Sequence, residues 1–160
     1  MTTHKKHHEE KLDIISCLNG VLANEYVLFT KTLNYHWNIT GPRFHSLHTF
    51  LEAQYRQLLE VMDEVAERVR ILDERPISTV KAMYSHMDIK DGQEKVPNAE
   101  TMLQNLMEDH VSIQNQLKEI VGDKSKCETD PGTEDMLISL LRKHEMMSWM
   151  LRSHIVKDGR

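Results

Sequence analysis

This sequence predicts an all-α fold: a four-helix bundle with a short extra helix in the connection between helices 2 and 3. Three observations carry that expectation. Only 6 Gly and 4 Pro interrupt 160 residues, too few breakers for a fold of short strands and tight turns. Four long stretches repeat apolar residues at the helical period. With 39% hydrophobic residues, one domain of this length can close a single core.

Positions 1–10 read as a flexible polar N-terminal tail, holding His4, His7 and His8, and 157–160 as a short C-terminal tail. The domain is then 11–156. In the first helix Ile15, Leu18, Leu22, Phe29 and Leu33 recur at helical spacing, ending near Tyr35-His36-Trp37. The segment Asn38 to Pro42 breaks it, with Gly41-Pro42 as turn punctuation. The second helix starts near Arg43 to Ser46 and carries Leu47, Leu51, Tyr55, Leu58, Met62, Val65, Val69 and Leu72. It stops before Pro76, whose ring removes a backbone donor and restricts the residue before it. Ser78 to His86 suits the short connecting helix, and Lys90 to Val96 a polar loop. Asn98 is the expected N-cap of the third helix, which runs through Leu103, Leu106, Val111, Ile113, Leu117 and Ile120 to Gly122. Asp123 to Gly132 reads as a loop. The fourth helix runs from about Thr133 to Ile155, with Met136, Leu137, Leu140, Leu141, Met147, Met150 and Leu151 inward. The connection of about 20 residues between the second and third helices permits a crossover.

A net charge of −5 leaves no basic surplus to neutralise phosphates, which argues against a dedicated nucleic-acid binder. The polar N-terminus has no apolar signal core, and no apolar run is expected to reach bilayer-spanning length. A cytoplasmic protein without membrane association follows, with the bacterial nucleoid as an alternative location. Cys17 and Cys127 form no paired motif and are expected as reduced thiols.

The informative segment is 36–68. His36, His48, Glu52, Asp63 and Glu67 supply nitrogen and carboxylate donors suited to iron. On one helix, His48, Glu52, Asp63 and Glu67 fall at roughly 0°, 40°, 60° and 100° about the axis, so they share a stripe. They cannot converge within one subunit, because Glu52 and Asp63 are separated by roughly 16 Å of helix rise. The spacing is symmetric about the point between residues 57 and 58. An antiparallel copy docked about a two-fold axis there brings His48 near Glu67 and Glu52 near Asp63, giving two identical sites as an isologous interface requires. Surface helices often carry such carboxylates simply as solvated charge, so the stripe alone is weak; the His-Trp-Asn helix end before a Gly-Pro turn is more specific.

Tyr35-His36-Trp37-Asn38, Gly41-Pro42, Phe44, Leu47-His48, Glu52, Tyr55 and Asp63-Glu64-x-Ala66-Glu67-Arg68 together resemble the signature of the Dps family, the DNA-protecting mini-ferritins of the ferritin-like superfamily. The likeness is dense over residues 34–70 and continues more weakly through His144 and Trp149-Met150-Leu151-Arg152. It implies a hollow homo-oligomer, a dodecamer. It implies ferroxidase activity, oxidising Fe2+ to Fe3+ with hydrogen peroxide preferred, and storage of ferric mineral. It further implies that His36, His48 and Glu52 come from one subunit and Asp63 and Glu67 from its two-fold partner. Trp37 matches a tryptophan near the metal that quenches radicals in the family, with core packing as the equal alternative. Trp149 reads as structural. Asp130, Glu134 and Asp135 match acidic positions lining an iron-entry pore, although charge favoured by a helix N-terminus explains them equally. Asp73 departs from the Gly that many relatives carry after the second helix.

A nucleoid-associated DNA-binding protein with minor ferroxidase activity is the alternative. Lys5, Lys6 and Lys11 are offset by Glu9 and Glu10, so DNA binding is expected to be weak or absent at neutral pH. A rubrerythrin-like di-iron enzyme needs paired Glu-x-x-His motifs. Here Met107, Leu141 and Leu151 precede His110, His144 and His154, so that motif is missing. Glu25 and His45 are expected to be structural and surface residues.

Overall fold

The structure, a computed structural model, describes the backbone of residues 2–123 and 130–156, with side chains from residue 11 onward in those ranges. The helices are α1 (Thr2–Asn38), α2 (Phe44–Ile71), α3 (Val80–His86), α4 (Ala99–Gly122) and α5 (Pro131–Ile155). No strand occurs among the described residues. The expected bundle with its short extra helix is what the chain forms.

Neighbouring helices run antiparallel all round. Lys31 with Asp109 and Asn24 with Gln116 pair α1 with α4 in opposite directions, and Arg68 with Thr133 and Glu64 with Lys143 do the same for α2 and α5. The broadest packing is α1 on α2 and α4 on α5. Helices α2 and α4 are therefore parallel, and only a long crossover can join them. That crossover is fastened to α1 by two asparagines. Asn19 Oδ1 accepts from the Ile77 amide at 3.0 Å, and Asn24 Oδ1 accepts from the amides of Asp88 and Ile89 at 2.7 and 3.2 Å.

The core follows the apolar stripes. Leu18, Leu28, Leu47, Leu51, Leu58, Leu103, Ile113, Leu117, Leu137 and Leu151 are fully buried. Val111, expected inside, is 43% exposed. Helix α1 takes in positions 2–10, which the sequence reading sets apart as a tail. The stretch holds no Gly or Pro, so nothing stops a formed helix from propagating. Residues 157–160 and Cys127 lie outside the described residues. Pro131 and Gly132 open α5 rather than closing the loop, because Pro at the first helical position loses no bond and Asp130 caps the end through the Thr133 amide. Asn98 caps α4 as expected, accepting from Thr101 N at 3.0 Å. The membrane expectation needs one correction. Lys11–Asn38 is long and apolar enough to cross a bilayer by length and composition, but its apolar face lies in the bundle core.

A polar layer crosses the bundle interior. Glu25, His110 and His144 are 0–1% exposed. His144 Nδ1 lies 2.9 Å from His110 Nδ1, a contact that needs one proton between the rings. On its other side His144 Nε2 stands 2.7 Å from Glu25 Oε1, at ion-pair distance but off the line of a well-formed hydrogen bond. Burial, and then the neighbouring His144, hold His110 well below the usual imidazole range.

Helix α2 ends in a left-handed residue, Asp73, at φ 59°. The Glu74 amide closes onto Val69 O at 3.1 Å and the Asp73 amide onto Arg70 O at 2.9 Å, the arrangement in which Gly costs least. Asp73→Gly is expected to raise unfolding stability by about 0.5–1 kcal/mol, read from chemical denaturation. Acid should weaken the bundle. His110 is neutral when folded and protonates below pH 6.5 when unfolded, so unfolding takes up a proton there. Its contribution is complete above that pH and falls by up to about 1.4 kcal/mol per pH unit below it. Denaturation midpoints between pH 7 and 5 should drop less steeply in His110→Gln than in the unaltered protein.

Candidate metal centre

The junction of α1 and α2 is held by a reciprocal clasp. His36 Nδ1 lies 2.9 Å from His48 O, and His48 Nδ1 lies 2.9 Å from His36 O. A carbonyl can only accept, so each Nδ1 carries a proton and Nε2 is the ring nitrogen available to a metal. The rings stack at 3.8 Å with 21° between planes. Tyr55 meets His36 edge-on at 5.2 Å and Phe44 lies on His48 at 5.0 Å. The clasp thus fixes both tautomers and both ring planes, as backbone partners do for metal-binding imidazoles.

Glu52 stands one turn beyond His48. Its Oε1 accepts from Arg56 Nε at 3.0 Å and Nη2 at 2.6 Å. Arg56, aided by the nearby His36 and His48 rings, holds this carboxyl below its ordinary range. His36 and His48 are thus stacked together with Glu52 near both rings, while Asp63 and Glu67 lie apart from them. These two sit exposed farther along the unbroken α2, in a groove of about 400 Å³ with Glu60, Glu64, Arg68 and Met136. Glu64 is taken by Lys143 at 2.7 Å, whereas no cation pairs with Asp63 or Glu67 among the described residues. Nor do three His, Cys, Asp or Glu side chains converge on one point there. A single chain presents two sets of donors on one helix face and closes neither.

The auxiliary positions divide. Trp37 is 68% exposed and Trp149 is 53% exposed, so neither packs in its own chain's core; for Trp149 this corrects the structural reading. His45 is exposed, as expected. Asp130 is occupied. Arg68 Nη2 donates to its Oδ1 at 2.6 Å, and the Thr133 hydroxyl donates to its Oδ2. Burial pushes this carboxyl up, but the Thr133 and Arg68 bonds outweigh it and hold it low. Glu134 is half-buried and Asp135 exposed. Sequence reasoning missed Arg56 and the buried Glu25–His144–His110 chain. The first was visible as a Glu-to-Arg spacing of four, but the second joins three helices and leaves no local pattern.

The fold and these donors define a ferritin-like bundle with an open, carboxylate- and imidazole-lined face on α1 and α2. The ferritin-like domain family matches residues 15–160. A low temperature-induced protein of Nostoc sp. is 39% identical over 147 residues, covering 92% of this chain and 82% of its own. The DNA protection during starvation protein 2 of Bacillus anthracis is 32% identical over 144 residues, covering 89% of this chain and 96% of its own. Among solved structures, Dps from Staphylococcus aureus superposes with a TM-score of 0.86 at 30% identity, over 92% of this chain and 97% of that one. A Dps protein from Vibrio cholerae O1, described as a member of a broad superfamily of ferritin-like diiron-carboxylate proteins, superposes with a TM-score of 0.86 at 28% identity, over 92% of each chain. The chain belongs to the Dps family.

Proposed function

We propose that this chain is a subunit of a dodecameric cage that oxidises ferrous iron, with hydrogen peroxide as the preferred oxidant, and stores the ferric product as mineral. The cage thereby protects the cell and its DNA from oxidative damage. The observation that carries this reading is the pair of separated donor sets on the α1–α2 hairpin. His36 and His48 offer their Nε2 atoms, their Nδ1 atoms being engaged by backbone, and Glu52 keeps one oxygen outside its Arg56 contacts. The unpaired Asp63 and Glu67 lie too far along the same helix to join them. An antiparallel copy of α2 closes the gap, each site then drawing His36, His48 and Glu52 from one protomer and the partner subunit's Asp63 and Glu67.

Such a donor set suits iron in both states. Imidazole nitrogen helps retain Fe2+, and carboxylates favour the harder Fe3+. Two ferrous ions give one electron each to peroxide. The O–O bond breaks, two protons are taken up, and two waters form beside two ferric ions. Because both electrons are delivered, no hydroxyl radical is released. Trp37, exposed beside His36, is placed to intercept any single-electron leakage. Asp130 is committed to its cap and to Arg68, which leaves Glu134 and Asp135 as the pore candidates.

His36→Ala and Asp63→Ala should each slow peroxide-driven ferrous oxidation by about tenfold or more while light scattering shows the assembled particle unchanged. Wild-type rates in both variants would overturn the site. DNA binding is a separate matter, raised by the names of the relatives. The chain's charge of −5 makes binding weak or absent at neutral pH, although a cage repeating Lys5 and Lys6 gains some avidity. Gel shifts should show complexes strengthening below about pH 6.5 as histidines charge. Tight complexes at neutral pH and moderate salt would contradict this.

A further inference from the structure

We propose that the first turns of α1 form a separate metal site, which takes a divalent late transition ion of the Zn2+ type on His4, His7 and His8. The inference goes beyond the ferroxidase reading and does not depend on it. In a free tail these histidines would be neighbours in sequence only. The chain instead carries one continuous helix from Thr2 to Asn38, and that backbone gives the three positions a fixed register.

At about 100° per residue, positions 7, 4 and 8 fall at roughly −60°, 0° and 40° around α1. His4 is therefore the central member, three residues from His7 and four from His8. Residues at those two spacings are neighbours on a helix surface, whereas adjacent residues such as His7 and His8 do not face each other. Two histidines four apart on one face is the spacing by which a helix chelates zinc. Lys5 and Lys6 fall at roughly 100° and 200°, off the strip.

Two contacts show where the strip lies. Asn24 pairs with Gln116 at 3.0 Å, so α4, which ends at Gly122, comes level with about residue 18 of its antiparallel neighbour α1. The turns before that project past α4. Lys11 continues the strip at roughly −20°, and its Nζ lies 3.9 Å from Glu74 Oε1 in the turn after α2. Asp73 and Glu74 thus stand at the foot of the strip, where two carboxylates add negative potential for a cation.

Neutral imidazole suits Zn2+, Cu2+ and Ni2+, which nitrogen donors hold more tightly than Fe2+. The strip therefore favours ions other than the ferrous substrate. A cation that binds only the helical form also stabilises the projecting turns.

The test is equilibrium dialysis of the assembled protein against Zn2+ at neutral pH, with light scattering to check that particle size is unchanged. The unaltered protein should hold one Zn2+ per subunit more than His4→Ala. His7→Ala and His8→Ala each keep one helical pair, and should retain that equivalent at weaker affinity. Adding His4→Ala to His48→Ala should remove the same single equivalent, which separates this site from the interface site whatever the latter binds. Equal zinc in the unaltered protein and His4→Ala, or equal loss from all three single variants as an unordered tail gives, would defeat the proposal.

Discussion

The candidate metal face of this molecule depends on the mutual grip of His36 and His48. Each ring binds the other residue's backbone carbonyl, so turning either ring breaks its bond to the opposite helix. One pair of bonds fixes where α1 stops, where α2 starts and which nitrogen of each ring is left bare. The turn between them needs a left-handed residue, and Gly41 supplies it at φ 101°. Phe44 and Tyr55 then close on the rings from α2. The contacts that shape the chain locally are therefore the same ones that orient both imidazoles.

Charge is distributed in a way that sets the candidate ligands apart. Asp109 is tied to Lys31, Glu64 to Lys143 and Asp130 to Arg68. Each of those carboxylates serves the packing of two elements. Asp63 and Glu67 serve no such purpose and face outward in their groove. Glu52 is intermediate, with one oxygen held by Arg56 and the other open. Surface ion pairs contribute little to stability, so the interest of these pairings lies in which acids they leave over.

Much of this was legible in the chain before any coordinates. Helix identity came from apolar periodicity, and the breaks came from Gly41-Pro42, Pro76 and Asn98. The stripe shared by His48, Glu52, Asp63 and Glu67 followed from angles along one helix, because a regular helix fixes relative directions once its residues are known. What stayed hidden depends on several helices at once. Glu25, His110 and His144 have no mutual spacing that would betray their contact. Polar residues before Lys11 gave no period, so the extension of α1 over 2–10 could not be read. Val111 sits at the edge of its stripe, and only neighbouring helices decide which edge is covered. For Arg56 the spacing from Glu52 was visible, but the choice of a single oxygen depends on side-chain rotation.

The fastening of the crossover by Asn19 and Asn24 divides the labour within the polypeptide. Every proposed iron ligand lies between residues 36 and 67, on the α1–α2 hairpin, and α4 and α5 act as its backing. The two hairpins are covalently joined only through the span after Ile71. Within that span the stretch from Asp88 to Ile89 is anchored, and the polar residues 90–95 that follow carry no proposed ligand. An engineer wishing to splice in a foreign peptide, or to open new chain ends by permutation, would choose that stretch.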